Sequence, residues 1–169
     1  VNTRFAYRVY VGANFVRNYL TFYVNREGLF VAATEGNTRV VYGAELEYLP
    51  IGGLRLGASI YGYWDDGSME YVDNKPIFEA DLFAEYTLRR WRFQLTSDFI
   101  GTRRWTNMVD NTTYSDKTKV DLGVGVSFDV TSDINIYVEG ENLLNSKIYD
   151  FAYYYRSGIG FRAGIKIDF

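Results

Sequence analysis

The chain has 169 residues, 47% of them hydrophobic and 18% aromatic, with a net charge of -3, a profile that folds and gives no basic footprint for nucleic acid. Cysteine and histidine are both absent, which removes disulfides, thiolate metal sites, a cysteine nucleophile and the commonest general base and metal ligand. No run approaches the ~20 consecutive apolar residues of a spanning helix, and the start at Val1, with neither Met nor a basic-then-apolar leader, reads as a mature product or a fragment.

Period-two alternation recurs from end to end and predicts an all-β fold. Segments at 5–15 and 19–33 come first and keep the rule less cleanly toward their outer ends. Val40, Tyr42, Ala44, Leu46 and Tyr48 then oppose Arg39, Gly43, Glu45 and Glu47, and Leu54, Leu56, Ala58 and Ile60 oppose Arg55, Gly57 and Ser59. Phe78, Ala80, Leu82, Ala84, Tyr86 and Leu88 alternate with Glu79, Asp81, Glu85 and Thr87, with Phe83 a lone ring on the polar side. Trp91, Phe93, Leu95 and Phe99 oppose Arg92, Gln94, Thr96 and Asp98. The cleanest pattern sets Val120, Leu122, Val124, Val126, Phe128 and Val130 against Lys119, Asp121, Gly123, Gly125, Ser127 and Asp129. Ile134, Ile136 and Val138 follow, against Glu139 and Glu141 among others, and the chain closes on Ile159, Phe161, Ala163, Ile165, Ile167 and Phe169. About nine strands result, most near the ~9–11 residues of a tilted membrane strand.

Short links at 16–18 (VRN), 50–53 (PIGG), 88–90 (LRR) and 131–133 (TSD) alternate with long polar ones at 65–76, 102–117 and 144–158. Outer-membrane barrels pair short periplasmic turns with long extracellular loops. The whole of 1–169 is therefore expected to be one segment of an antiparallel, up-and-down transmembrane β-barrel, apolar face to lipid, with its carboxyl terminus at the periplasmic rim. An odd strand count puts Val1 at the opposite rim and implies strands missing before it, and the many charges on the inner face suit a wide, hydrated lumen. A complete small barrel of about eight to ten strands, serving as anchor, adhesin or lipid enzyme, needs an even count and closed ion-pair networks. A soluble lipocalin-like binder needs the apolar face inward, against the glycines of the polar face and the lopsided loops.

The stretch VEGENLLNSKIYDFAYYYRSGIGFRAGIKIDF resembles the end of the TonB-dependent outer-membrane receptors: Asn142, Leu143 and Leu144, then Asn145, Lys147 and Tyr149, then Gly160, Gly164 and terminal Phe169. NTRVVYGAELEYLPIGGLRLGASIYGYW is similar to their glycine-x-glutamate strand, short turn and leucine-rich strand, through Gly43, Glu45, Leu46 and Glu47. RSGIGF stands where that family often has proline-glycine-arginine. The resemblance implies the carboxyl-terminal portion of a barrel of about 22 strands, a bacterial outer-membrane location and active uptake of a scarce nutrient: a ferric siderophore, cobalamin, an oligosaccharide or haem. The lack of histidine weakens haem. It implies as partners a plug domain and the remaining strands, the TonB complex acting through an amino-terminal part outside these residues, lipid and lipopolysaccharide, and a surface lipoprotein.

Within this reading Tyr149, Phe151, Tyr153, Tyr154, Tyr155 and Arg156 form a binding loop, rings stacking on a sugar or chelate and the arginine reading a carboxylate or phosphate. Self-packing of the loop is the alternative, and Arg103, Arg104 and Trp105 stand equally, with lipopolysaccharide phosphates as another partner. Phe161, Ile165, Ile167 and Phe169 resemble the signal read by the outer-membrane assembly machinery. Tyr42, Tyr48, Tyr86, Trp91 and Phe128 read as an interfacial girdle. Asp65, Asp66, Glu70 and Asp73 lack the spacing of a calcium loop, and Glu139 and Glu141 read as lumenal groups paired with basic side chains rather than a catalytic pair. No catalytic residue, metal site or cofactor is assigned.

Overall fold

The computed structural model describes residues 4–24, 27, 30–67, 75–107, 112–151, 154–156 and 158–168, with only the backbone at 16–24, 30–35, 37, 66–67, 106–107, 150–151 and 154. All regular structure among them is strand. In chain order these are β1 (Phe5–Val24), β2 (Phe30–Tyr48), β3 (Leu54–Gly67), β4 (Phe78–Leu88), β5 (Trp91–Ile100), β6 (Arg103–Asn107), β7 (Thr112–Asp116), β8 (Lys119–Asp129), β9 (Ile134–Glu141), β10 (Tyr149–Phe151), β11 (Tyr154–Tyr155) and β12 (Gly160–Ile167). Eight of them form one antiparallel sheet in the order β1-β2-β3-β4-β5-β8-β9-β12, while β6-β7 and β10-β11 are separate hairpins in two long loops.

The count of nine becomes eight for an identifiable reason. The link at 16–18 is no turn: β1 runs straight through it, and the register against β2 shifts between Val16 and Tyr19. A bulge moves the side-chain alternation by one residue, so in sequence it looks like the end of one strand and the start of another. The segment at 19–33 is instead the upper end of a hairpin, with the reversal between Val24 and Phe30. This also corrects the parity argument. The Leu49 N–H donates to the Arg4 carbonyl (2.8 Å) and the Asp168 N–H to the Asp133 carbonyl (2.9 Å), so both described ends lie at the short-turn rim.

Eight is an even number, yet the sheet does not close: among the described residues β1 pairs only with β2, and β12 only with β9. The sheet is a single layer, and among the described residues no other element packs against its apolar face. Phe15, Phe161 and Val11 are 78%, 77% and 75% exposed, and the buried apolar core of the described residues is Ile148 alone. Such a face has no stabilising environment in water but matches lipid, which disposes of the soluble binder.

The register keeps the faces consistent across the main sheet. Phe5 pairs with Tyr48, Tyr48 with Leu56, Leu54 with Tyr86, Tyr86 with Phe93, Trp91 with Phe128 and Phe128 with Ile136. These rings lie near the short-turn rim, where Trp91 and Phe128 have centroids 4.7 Å apart and Trp91 stacks on Phe93 at 6.2 Å. Tyr42 is different: it sits six positions up β2 from Tyr48, and its ring covers Gly62. Phe83 likewise lies over Gly57, where a Cβ would come within 2.0 Å of the ring. A ring folded over a strand glycine restores the packing that the missing side chain forfeits, which gives the one polar-face ring of β4 its role; the Arg55 guanidinium caps it at 5.0 Å.

Candidate functional site

The polar face is organised in rows across the strands. In the lower rows, Arg55 donates to both oxygens of Glu47 (2.9 and 3.0 Å) and Gln94 donates to Glu85 (3.0 Å) near the short turns, and the same rows reach β9 and β12 at their loop ends, where Arg162 bridges Glu139 and Glu141, each at 2.7 Å. The paired acids of β9 thus hold one arginine between them. One row higher, Arg8 meets Glu45 at 3.1 Å and Ser59 donates to Asp81 at 2.7 Å. Asp81 is the Cα partner of Asp98, and Asp98 of Asp121. Like charges placed directly opposite repel, and this row contains no arginine between Asp81 and Asp121. No group of three or more acidic residues among the described ones is arranged to hold a metal ion.

Above the rows stand the long loops. Arg39 lies over the Tyr63 ring (4.1 Å), pairs with Asp65 at 3.8 Å and donates to the Pro76 carbonyl (3.2 Å). Asp65 therefore belongs to an ion pair; only the backbone of Asp66 is described, and Glu70 and Asp73 lie outside the described residues.

The two loops that carry candidate binding residues come together. In β6–β7, Trp105 pairs across the hairpin with Tyr114, rings stacked at 6.0 Å and 16°. In β10–β11, Tyr149 pairs with Tyr155 and meets it edge-on at 5.9 Å. Trp105 then meets Tyr149 at 6.5 Å, and Arg103 donates through Nη1 to the Tyr149 carbonyl. The result is a chain of four rings, Tyr114, Trp105, Tyr149 and Tyr155, running across two hairpins with Tyr155 60% exposed at one end. The indole Nε1 of Trp105 and Nε of Arg103 are buried without a hydrogen-bond partner among the described residues.

Of the other predicted members, Arg156 follows β11 and Arg104 lies in β6. The backbones of Phe151 and Tyr154 are described, and Tyr153 lies outside the described residues. Loop packing and ring exposure therefore coexist: Trp105 and Tyr149 face one another, and Tyr155 faces outward. Phe161, Ile165 and Ile167 line the apolar face of β12, whereas Phe169 lies outside the described residues.

Sequence reasoning missed Tyr114, Ile148 and the double role of Asn142. Tyr114 was recoverable: Trp105 and Tyr114 flank the polar run equally, and aromatic and threonine residues on both sides favour a hairpin. Asn142 was named only as a family marker. It is 4% exposed at φ 49°, its Oδ1 accepts from the Ser146 N–H (2.8 Å) and its Nδ2 donates to the Ser146 carbonyl (3.0 Å). Asparagine tolerates the left-handed region and bonds nearby backbone, so one residue ends β9 and starts the loop. Ile148, 1% exposed, is the apolar seat of that loop.

No family model and no curated protein sequence matches the chain. Solved structures do. The copper transporter OprC superposes with a TM-score of 0.78 at 14% identity, over 99% of this chain and 29% of its own. The pyoverdine outer membrane receptor FpvA from Pseudomonas aeruginosa PAO1, bound to pyoverdine, gives 0.73 at 12% identity over 100% and 28%. The ferric-catecholate import receptor Fiu from E. coli K12 gives 0.71 at 11% identity over 100% and 26%. All three are TonB-dependent receptors. The fold is thus that of the barrel wall of a TonB-dependent receptor, and the chain spans less than a third of the length of each structure.

Proposed function

We propose that this chain is the carboxyl-terminal part of the barrel of a TonB-dependent importer in a bacterial outer membrane, and that the ring chain of Tyr114, Trp105, Tyr149 and Tyr155 is part of its extracellular ligand site. The observation that carries the reading is that an open, eight-stranded sheet with an apolar outer face and a charged inner face superposes along its whole length on receptors of that type. Uptake rather than catalysis fits the polar face, where the glutamates are held by arginines and a glutamine.

The ligand class follows from the donors. With neither cysteine nor histidine in the sequence, these loops suit a bare soft metal poorly. Rings and guanidinium groups suit an organic chelate or a sugar, held by stacking and by charge-assisted hydrogen bonds. A ferric siderophore fits best; cobalamin and oligosaccharide follow. In this reading a plug domain fills the lumen, the TonB complex acts through it, lipopolysaccharide surrounds the wall, a surface lipoprotein caps the loops, and β12 with Phe161, Ile165, Ile167 and Phe169 presents the assembly signal.

The test is a full-length receptor in vesicles titrated with a panel of ferric siderophores, cobalamin and oligosaccharides. Trp105→Ala should weaken binding of the responsive compound roughly tenfold or more, the scale of an aromatic hot spot, while Trp91→Ala at the opposite rim leaves it unchanged. Equal binding by both variants would remove the ring chain from the ligand site.

A further inference from the structure

Residues 142–156 leave the barrel wall at Asn142 and return at Arg156, and both ends meet one side chain. Asp121, on the lumenal face of β8, accepts the Asn142 backbone N–H on Oδ1 at 2.9 Å and faces Arg156 Nη1 from Oδ2 at 3.9 Å. The two arms differ in kind. The Asn142 arm is short and lies on a buried residue, backed by Ser146, whose hydroxyl donates to the Val120 carbonyl at 2.7 Å. The Arg156 arm is longer, with a side chain 48% exposed against 19% for Asp121.

Physical chemistry separates the arms further. A backbone N–H held by a carboxylate in a buried corner keeps its strength in salt, whereas an ion pair made by an exposed guanidinium is weakened once the Debye length falls to about 3 Å, near 1 M salt. The row below explains why the partner is a cation: Asp121 stands opposite Asp98, and Asp98 opposite Asp81. Arg156 is the positive charge that the loop itself brings to that row. Its backbone N–H also donates to the Ile148 carbonyl at 2.8 Å, so the guanidinium can let go while the loop end stays folded against its seat.

We propose that Asp121 is the positioning residue of the aromatic loop, a role that rests on the binding reading above. Through Asn142 it forms a fixed hinge, and through Arg156 a releasable latch that determines how firmly Tyr149 and Tyr155 are presented beside Trp105. The ligand is touched by the rings; Asp121 acts on it only through the loop.

These 169 residues contain no cysteine; in the full-length protein in vesicles, with any cysteine elsewhere replaced by serine, the two ends are read separately by nitroxide labels at Tyr155→Cys and Leu144→Cys, both exposed positions. Each substitution at 121 is compared within the same labelled background, so the loss of the Tyr155 ring is common to both. Asp121→Asn keeps an oxygen for the Asn142 N–H and removes the charge. It should shorten the rotational correlation time at 155 roughly twofold and leave 144 unchanged. Asp121→Ala should loosen both ends. High NaCl should reproduce the Asp121→Asn effect in the parent and add nothing in that variant. An unchanged label at 155 in Asp121→Asn, or equal loosening at 144 and 155, would overturn the proposal. No ligand is present in this measurement, so a failed binding titration with the expected label pattern would sink the binding reading and leave the latch standing.

Discussion

The two rims of this sheet solve the same problem by different means. At the short-turn rim the chain reverses through backbone chemistry. Gly53 sits at φ 80° between β2 and β3, Arg89 at φ 56° between β4 and β5, and the Thr131 hydroxyl accepts the N–H groups of Asp133 and Ile134 between β8 and β9. At the long-loop rim the reversals are too long for a turn to dictate, and side chains take over: Asn142 clasping Ser146, Ile148 seated beneath, Trp105 against Tyr149. The difference teaches where variation is tolerated. A two-residue turn admits few sequences, whereas a loop held at a few anchor points can change everything between them.

That comparison breaks most visibly at Asn142. Asn142→Ala removes both bonds to Ser146, leaves their partners beside a buried corner, and keeps a left-handed backbone without the residue that tolerates it. The expected loss is about 3 kcal/mol in urea unfolding from vesicles, with ligand binding impaired as well. Next comes Gly53→Ala at the other rim. A Cβ there would stand 2.3 Å from the Thr87 carbonyl oxygen, at a φ that alanine disfavours, costing about 2 kcal/mol. Binding should be untouched in this case. If Gly53→Ala impaired binding as strongly as Asn142→Ala, the division of labour between the rims would be wrong.

The same division decides what could be read in the sequence. Alternation located β4 at both its ends and β5, β8 and β9 to within a residue, because a side-chain period of two follows from the strand itself and both faces are strongly contrasted. It failed in β1, where the bulge between Val16 and Tyr19 shifts the phase and a continuous strand looks like two. It was silent on β6 and β7, whose polar residues pair across a hairpin without contrasting faces. At the site, the rings and arginines were visible as exposed-loop chemistry, but which of them meet depends on pairings between loops distant in sequence, such as Arg103 with Tyr149. Asn142 and Asp121 were visible as residues and not as a hinge, since a single left-handed position has no periodicity to announce it.

The smallest effect should come from the lumenal rows. Arg162 bridges Glu139 and Glu141 with two contacts of 2.7 Å, yet its side chain is 60% exposed, and an ion pair in that setting gains little over hydration and loses that little to salt. Arg162→Gln should therefore lower the unfolding midpoint in vesicles only slightly at low ionic strength and not at all at high NaCl, with the wall otherwise intact. Its sharper use is as a contrast with the row above. There Asp81, Asp98 and Asp121 face one another and the loop supplies Arg156, so Arg156→Gln should act on loop mobility rather than on unfolding. Glu141 directly precedes Asn142, so the contrast is a close one: if Arg162→Gln loosened the labelled loop as much as Arg156→Gln does, the Asp121 row would not be what holds the loop.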